Sequence, residues 1–171
     1  MGKAGPDQPG AVGDVLAALS AAGAFRLRAV VVGTIAYQVY APMLGVRLPH
    51  AAIQTDDIDI AQFHAVSVAV NESTPPMLDV LRRADSSFKA IPHRSSKHAV
   101  TTYRNTRGLR VEFLAPNRGP ERDEAVRLPA LGTDAEPLRF LDYLIHEASS
   151  AVVLHGAGVY VNVPSPQRYA L

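Results

Sequence analysis

The 171-residue sequence contains no cysteine, which excludes disulfide bonds and thiolate metal sites. Its apolar segment 29–32 is far too short to span a bilayer. Residues 1–10 are polar and rich in glycine and proline, with no apolar signal core after them. These absences predict a cytoplasmic protein with no membrane partner.

The charge balance gives no indication of a dedicated duplex-DNA binder, since the net charge is +1 and the pI is about 8.1. One stretch departs from this balance. Residues 89–110 contain no acid but hold six cations, namely Lys89, Arg94, Lys97, Arg104, Arg107 and Arg110. Hydrophobic content of 47% and the chain length together predict one globular domain with a full core.

We expect a flexible leader over 1–10 and a single domain over 11–171. Apolar spacing predicts helices over 11–22, 35–44 and 77–84, the second of them capped by Thr34. Strands are predicted over 28–32, 54–61, 88–91, 99–104 and 109–114, with a turn at 105–108 joining the last two into a hairpin. Segment 65–70 fits either a strand or a turn of helix. The remaining segments are predicted as loops over 47–54 and 117–124, irregular chain over 126–137, a partly helical stretch over 138–149 and a second hairpin from 151–154 and 159–163.

The most informative segment is 54–61, where Asp57 and Asp59 alternate with Ile58 and Ile60. In a strand, both carboxylates project from one face while the isoleucines are buried on the other. Two like charges on one face repel each other, and a divalent cation with hard oxygen ligands would remove that penalty. The alternative is a solvent-facing edge strand. The neighbouring Asp56 points to the opposite face and is interpreted as a turn or cap residue.

A third acid, Glu112, alternates with Val111 and Phe113 in the predicted strand 109–114. If this strand lies beside the acidic strand, Glu112 joins Asp57 and Asp59 in a three-carboxylate cluster. Such a cluster can hold two Mg²⁺ ions about 3.5–4 Å apart for in-line phosphoryl chemistry. The alternative is an ordinary exposed glutamate.

Gly33 and Thr34 follow a strand and open a helix. Glycine lets a phosphate approach the backbone, the threonine offers a hydroxyl, and a helix N-terminus favours anions. The glycine could equally serve only the turn. The segment is not a Walker P-loop, because the lysine and the glycine spacing are missing.

Taken together, these features resemble the polymerase-beta-like nucleotidyltransferase superfamily. The resemblance implies an α/β (α+β) fold, with a mixed sheet and helices packed mainly on one face. It places Gly33 and Thr34 where the nucleoside triphosphate is bound and Asp57 and Asp59 at the metal-binding pair. Glu112 takes the position of the third carboxylate, which helps to deprotonate the attacking hydroxyl.

A closer likeness is to a bacterial nucleotidyltransferase-like branch related to the toxins of toxin–antitoxin systems. It rests on segments 32–40, 55–61, 111–116 and 161–171, and covers roughly 27–171. The last segment usually runs on into a further helix, which predicts truncation at the C-terminal end. Three departures stand out: Thr34 replaces serine, 22 residues separate Thr34 from Asp57, and Glu112 replaces aspartate.

The activity implied is Mg²⁺- or Mn²⁺-dependent transfer of a nucleoside monophosphate from NTP to a hydroxyl of an RNA, protein or small-molecule acceptor. Lys97, with Arg94 and Arg104 nearby, could bind the triphosphate, although a solvated basic hairpin is the simpler interpretation of these cations. One alternative function is a catalytically degenerate fold that binds nucleotide or a protein partner such as an antitoxin. A metal-dependent phosphodiesterase is disfavoured, because none of the six histidines has ligand spacing.

Overall fold

The computed structural model describes residues 9–45 and 56–169. The predicted loop 47–54 and most of the predicted leader lie outside these ranges. The first half of the chain forms helix α1 (Pro9–Ala21), strand β1 (Val30–Val32), helix α2 (Gly33–Leu44), strand β2 (Asp57–Ala61), helix α3 (His64–Ala69) and helix α4 (Met77–Ala84). The three predicted helices are confirmed, and segment 65–70, which was compatible with either state, is helical.

Strand β1 is shorter than the predicted 28–32, because Arg28 has a φ of 68° and belongs to the preceding turn. Asn162 fixes this turn from another part of the chain. Its side-chain amide donates hydrogen bonds to the carbonyl oxygens of Phe25 (2.7 Å) and Ala29 (3.0 Å). The turn therefore delivers the chain into β1 in a defined position.

The second half forms β3 (Lys89–Pro92), β4 (Val100–Arg104), β5 (Arg110–Asn117), β6 (Val126–Leu128), a 3₁₀ turn (Pro129–Leu131), β7 (Thr133–Arg139), α5 (Leu141–Ile145), β8 (Ala148–Val153), β9 (Val159–Pro164) and α6 (Pro166–Tyr169). Both predicted hairpins are confirmed, β4–β5 and β8–β9. The irregular structure predicted for 126–137 is wrong. Strand β7 pairs in parallel with the second half of β5, and this distant partner stabilises a segment with a weak strand pattern of its own.

The main sheet has the order β1-β2-β5-β4-β3, with β7 beside β5 and β6 beside β7. Strand β2 runs parallel to β5, whereas β1–β2 and β4–β5 are antiparallel, so the sheet is mixed. This architecture confirms the predicted α/β fold with a mixed sheet.

One face of the sheet packs in the main core. Ile58, Ile60, Val111 and Phe113 are fully buried there, together with apolar side chains of α1, α2 and α4. Burying these side chains is the main stabilising contribution, at roughly 1.5–3 kcal/mol each. The opposite face holds a smaller apolar cluster near α5 and, beyond it, the polar side chains considered next. None of the helices in 9–45 and 56–169 is long and apolar enough to cross a membrane.

Candidate active site

The three acids predicted for the site lie on adjacent strands and on one face of the sheet. Asp59 of β2 is the register partner of Val32 on β1 and of Glu112 on β5. Asp57 is two residues before Asp59 and therefore shares its face. The register partner of Asp57 on β5 is Arg110. We call Asp57, Asp59 and Glu112 the acid cluster. The condition on which the predicted cluster depended, adjacency of the two strands, is met.

Alternation along the strands explains why the carboxylates are accessible. The burial of Ile58 and Ile60 in the core forces Asp57 and Asp59 to the other face. Asp57 is exposed, whereas Asp59 and Glu112 are half-buried. The Nε atom of Arg110 lies 3.9 Å from Oδ1 of Asp57, which gives the outermost acid a counter-charge.

Burial and neighbouring acids raise the pKa of the two inner acids, Asp59 and Glu112. Burial, followed by the charges of Glu112 and Asp57, raises the pKa of Asp59 to about 6, against an opposing effect of Arg110. Burial also raises the pKa of Glu112; Arg110 lowers it, while Glu136 and Asp57 raise it further. A cation placed among these acids would reduce the repulsion between their carboxylates.

Gly33 packs directly against the acid cluster. It has a φ of 70°, and a Cβ atom placed on it would lie 2.7 Å from Oδ2 of Asp59. Any other residue would therefore strain the backbone and displace this carboxylate. Only glycine allows the β1–α2 turn to approach Asp59 so closely.

Helix α2 begins at Gly33, and Val32 is its N-cap residue, with no side-chain capping hydrogen bond. The predicted capping role of Thr34 is therefore wrong. Because the helix begins at Gly33, Thr34 lies inside its first turn, half-buried. Backbone N–H groups at an uncapped helix N-terminus are suited to binding an anion.

Tyr169 is a site residue that sequence reasoning missed. Its hydroxyl donates a 2.9 Å hydrogen bond to the carbonyl oxygen of Gly33, and its ring stacks on Tyr37 with centroids 6.2 Å apart. Burial raises the pKa of Tyr169, with the nearby Asp59 carboxylate adding to the effect. The only sequence signal was the inclusion of Tyr169 in segment 161–171. Tyr40 is buried and donates a hydrogen bond to the carbonyl oxygen of Pro164, so it serves packing.

Glu136 and His93 form a second feature that the sequence did not reveal. His93 Nε2 lies 2.6 Å from Oε2 of Glu136, and the His93 side chain is largely buried. Since Glu136 raises the pKa of Glu112, the pair belongs to the electrostatic surroundings of the acid cluster. It also connects the loop between β3 and β4 to strand β7.

Lys97 lies on that loop and is exposed. No ion pair joins Lys97 to the acid cluster in the part of the chain that the structure describes, and its role at the triphosphate stays a prediction. Thr34 and Gly33 are next to the acids, whereas Lys97 is placed on a different element.

The acid cluster fits a divalent metal in its chemistry but does not enclose one. Within 9–45 and 56–169, no three histidine, aspartate or glutamate side chains are close enough together to hold an ion by themselves. Mg²⁺ is typically held by one or two carboxylates, with water and substrate phosphates completing its shell. Asp57 and Asp59 carry hard carboxylate oxygens of this kind, and the Gly33 turn lies beside Asp59.

The mixed sheet, the glycine turn and the carboxylates on neighbouring strands match the architecture of an α/β nucleotidyltransferase domain. A protein-family model described as Nucleotidyltransferase matches residues 10–171, nearly the whole chain. The protein therefore belongs to this nucleotidyltransferase family, whose typical activity is the transfer of nucleotidyl groups. No curated protein and no solved structure gives a significant match.

Proposed function

We propose that this protein transfers a nucleoside monophosphate from NTP to an acceptor hydroxyl and releases pyrophosphate, with Mg²⁺ or Mn²⁺ at the acid cluster. The observation that most supports the proposal is the contact between Gly33 and Asp59. It brings a backbone suited to phosphate against a carboxylate suited to a metal ion. Neither the close contact with Gly33 nor the partial burial of Asp59 is expected for an ordinary surface carboxylate.

In this proposal each residue has a separate role. Asp57 and Asp59 would hold the metal, which supplies charge neutralisation for the phosphates and lowers the pKa of the acceptor hydroxyl. Glu112, beside Asp59 in the next strand, would add a metal ligand and accept the proton of that hydroxyl. Gly33 and the first turn of α2 would bind the terminal phosphates through backbone N–H groups, with the hydroxyl of Thr34 as a further donor.

Tyr169 would act by position, because its hydrogen bond to the Gly33 carbonyl fixes the turn that receives the phosphates. Tyr37 stacks on Tyr169, and 39% of its surface remains exposed. Tyr169 therefore contacts Gly33 through the carbonyl oxygen, and the acid cluster contacts Gly33 through Asp59. The nucleotide would lie between them.

Glu112→Gln tests the assigned chemistry. We expect kcat for pyrophosphate release to fall by about 10²–10³-fold, within the range of general-base contributions, with a much smaller change in KM for NTP. The matched control is Glu121→Gln, an exposed glutamate of the loop after β5, which should leave both constants unchanged. The measurement is release of pyrophosphate together with retention of label from α-labelled NTP in the acceptor. Equal activity in Glu112→Gln and the wild type would remove Glu112 from the mechanism.

One observation favours a second candidate, a nucleotide-binding module without transfer activity. Arg110 lies within 3.9 Å of Asp57 and already supplies positive charge at the edge of the cluster. In this version the Arg110 guanidinium takes the place of a metal and contacts the nucleotide. A protein partner such as an antitoxin then binds the nucleotide-bound protein. Nucleotide binding that persists undiminished in EDTA would favour the module over the transferase.

A further inference from the structure

Three cations stand in register across neighbouring strands on the same face of the sheet as the acid cluster. Lys89 of β3 is the partner of Arg104 on β4, and Arg104 is the partner of Arg110 on β5. Register partners project to the same side, so the three side chains form one row, which we call the basic ladder. All three residues are exposed.

The basic ladder is electrostatically unfavourable in the free protein. Like charges directly opposite each other on neighbouring strands repel. Neither Lys89 nor Arg104 forms an ion pair within the described ranges, and the partner of Arg110 is Asp57, at the inner end of the row. By contrast Arg107, in the turn between β4 and β5, has Asp85 as its partner at 3.9 Å. An anion with several charges in a row would relieve the repulsion along the ladder.

The ladder leads to the acid cluster from the side opposite Gly33. The strand order places β1 and the Gly33 turn on one side of Asp59, and β5, β4 and β3 on the other. With strands about 4.8 Å apart, the ladder extends roughly 10 Å from Arg110 to Lys89. Phosphates of NTP at Gly33 and an anion along the ladder would therefore occupy separate surfaces that meet at Glu112 and Asp59.

We propose that the basic ladder binds the phosphodiester backbone of a single-stranded RNA whose terminal hydroxyl is directed to Glu112. The proposal rests on the function proposed above and adds the class of acceptor. A single row of cations matches one nucleic-acid strand, and guanidinium groups bind phosphate through paired N–H donors. A nucleic-acid strand supplies both the regularly spaced charges and, at its end, the hydroxyl that the reaction requires.

The test is fluorescence anisotropy with a labelled 12-nucleotide single-stranded RNA, carried out in EDTA without NTP. We compare the wild type with the double variant Lys89→Gln/Arg104→Gln, and use Arg107→Gln as the control in the same hairpin. We expect the double variant to bind about tenfold more weakly at low salt. The slope of log K against log[salt] should fall by roughly 1.4, about 0.7 for each lost phosphate contact. Arg107→Gln should behave as the wild type.

Melting curves of each variant establish that it is folded, since all three changes are on the surface. The proposal is overturned by an absence of RNA binding in the wild type, by unweakened binding in the double variant, or by equal weakening in the double variant and Arg107→Gln. Competition decides the chemical class. An acidic peptide, a DNA strand or a DNA duplex that displaces the RNA as well as unlabelled RNA does would replace single-stranded RNA as the occupant and overturn it too.

The same assay with Asp59→Asn separates this inference from the transferase. RNA binding should be retained in that variant, because Asp59 lies outside the ladder. Ladder-dependent RNA binding by a wild type that shows no transfer activity would contradict the proposed function alone. Transfer activity in a wild type whose RNA binding does not depend on Lys89 and Arg104 would contradict the ladder alone.

Discussion

Asp59→Asn should make the protein more stable at pH 8 in the absence of metal. In the wild type, burial and the neighbouring acids raise the pKa of Asp59 from its ordinary 3.8 to about 6. The protonated carboxyl therefore favours the folded state. That contribution is fully present below pH 3.8 and is lost as the pH rises through 6. Asparagine keeps the shape without the charge and should gain up to about 3 kcal/mol at pH 8.

The measurement is urea unfolding in EDTA at pH 4 and pH 8. The difference in free energy of unfolding between Asp59→Asn and the wild type should be large at pH 8 and small at pH 4. Asp56→Asn is the matched control, because Asp56 is an exposed neighbour whose backbone carbonyl, rather than its side chain, accepts the hydrogen bond from Arg110. It should change stability by no more than about 0.5 kcal/mol at either pH. A destabilised Asp59→Asn at pH 8 would contradict the repulsion described for the acid cluster.

A charge that costs stability where a neutral side chain would fit is typical of residues retained for function. Asp59 is placed by Ile58 and Ile60, whose burial leaves it no other face of the strand. Arg110 offsets only part of the repulsion. The cluster therefore becomes favourable when a cation is present, which links the stability of the fold to the proposed ligand.

Gly33→Ala should abolish nucleotide binding, whereas Gly45→Ala should not. Both glycines have a positive φ, 70° and 65°, at the two ends of helix α2. Placing alanine in this conformation costs about 1–2 kcal/mol at each position. Among residues 9–45 and 56–169, no atom lies within 4 Å of a Cβ added at Gly45, whereas at Gly33 it would lie 2.7 Å from Asp59 Oδ2 and must push the carboxylate away. The two variants are therefore matched in backbone strain and differ in their effect on the site.

The comparison requires unfolding curves and NTP titrations of both variants. Similar losses of stability, with at least tenfold weaker NTP binding in Gly33→Ala alone, would establish that the close approach of Gly33 to Asp59 serves the site. If Gly45→Ala loses binding to the same degree, the effect is a general consequence of strain in α2. Undiminished binding by Gly33→Ala would remove the glycine turn from the proposed phosphate site.

The sequence predicts those parts of the fold whose signal is local. Alternation in 57–61 and 110–114 is strong because each strand has one core face and one polar face. Pro75 and Pro76 mark the start of α4, which has the predicted bounds. The hairpin β4–β5 follows from the turn at 105–108 between two alternating segments.

Features that depend on distant partners were not predictable in the same way. Strand β7 contains Pro137 and has few apolar residues, and it is a strand because it pairs with β5. The contact of Tyr169 with Gly33 joins residues 136 positions apart. The residue type of Thr34 predicts a helix cap, but helix α2 begins at Gly33 and its N-cap residue is Val32. The register of β4 with β3, which creates the basic ladder, likewise appears only once the strands are paired.

The most direct test of the account is isothermal titration of a non-hydrolysable NTP into the wild type and Asp59→Asn, first with Mg²⁺ and then with EDTA. Asp59→Asn is the appropriate variant, because it should be at least as stable as the wild type and a loss of binding cannot be attributed to unfolding. We expect Mg²⁺-dependent binding by the wild type and at least tenfold weaker binding by Asp59→Asn. Equal binding by both proteins, or equal binding in Mg²⁺ and EDTA, would contradict the account.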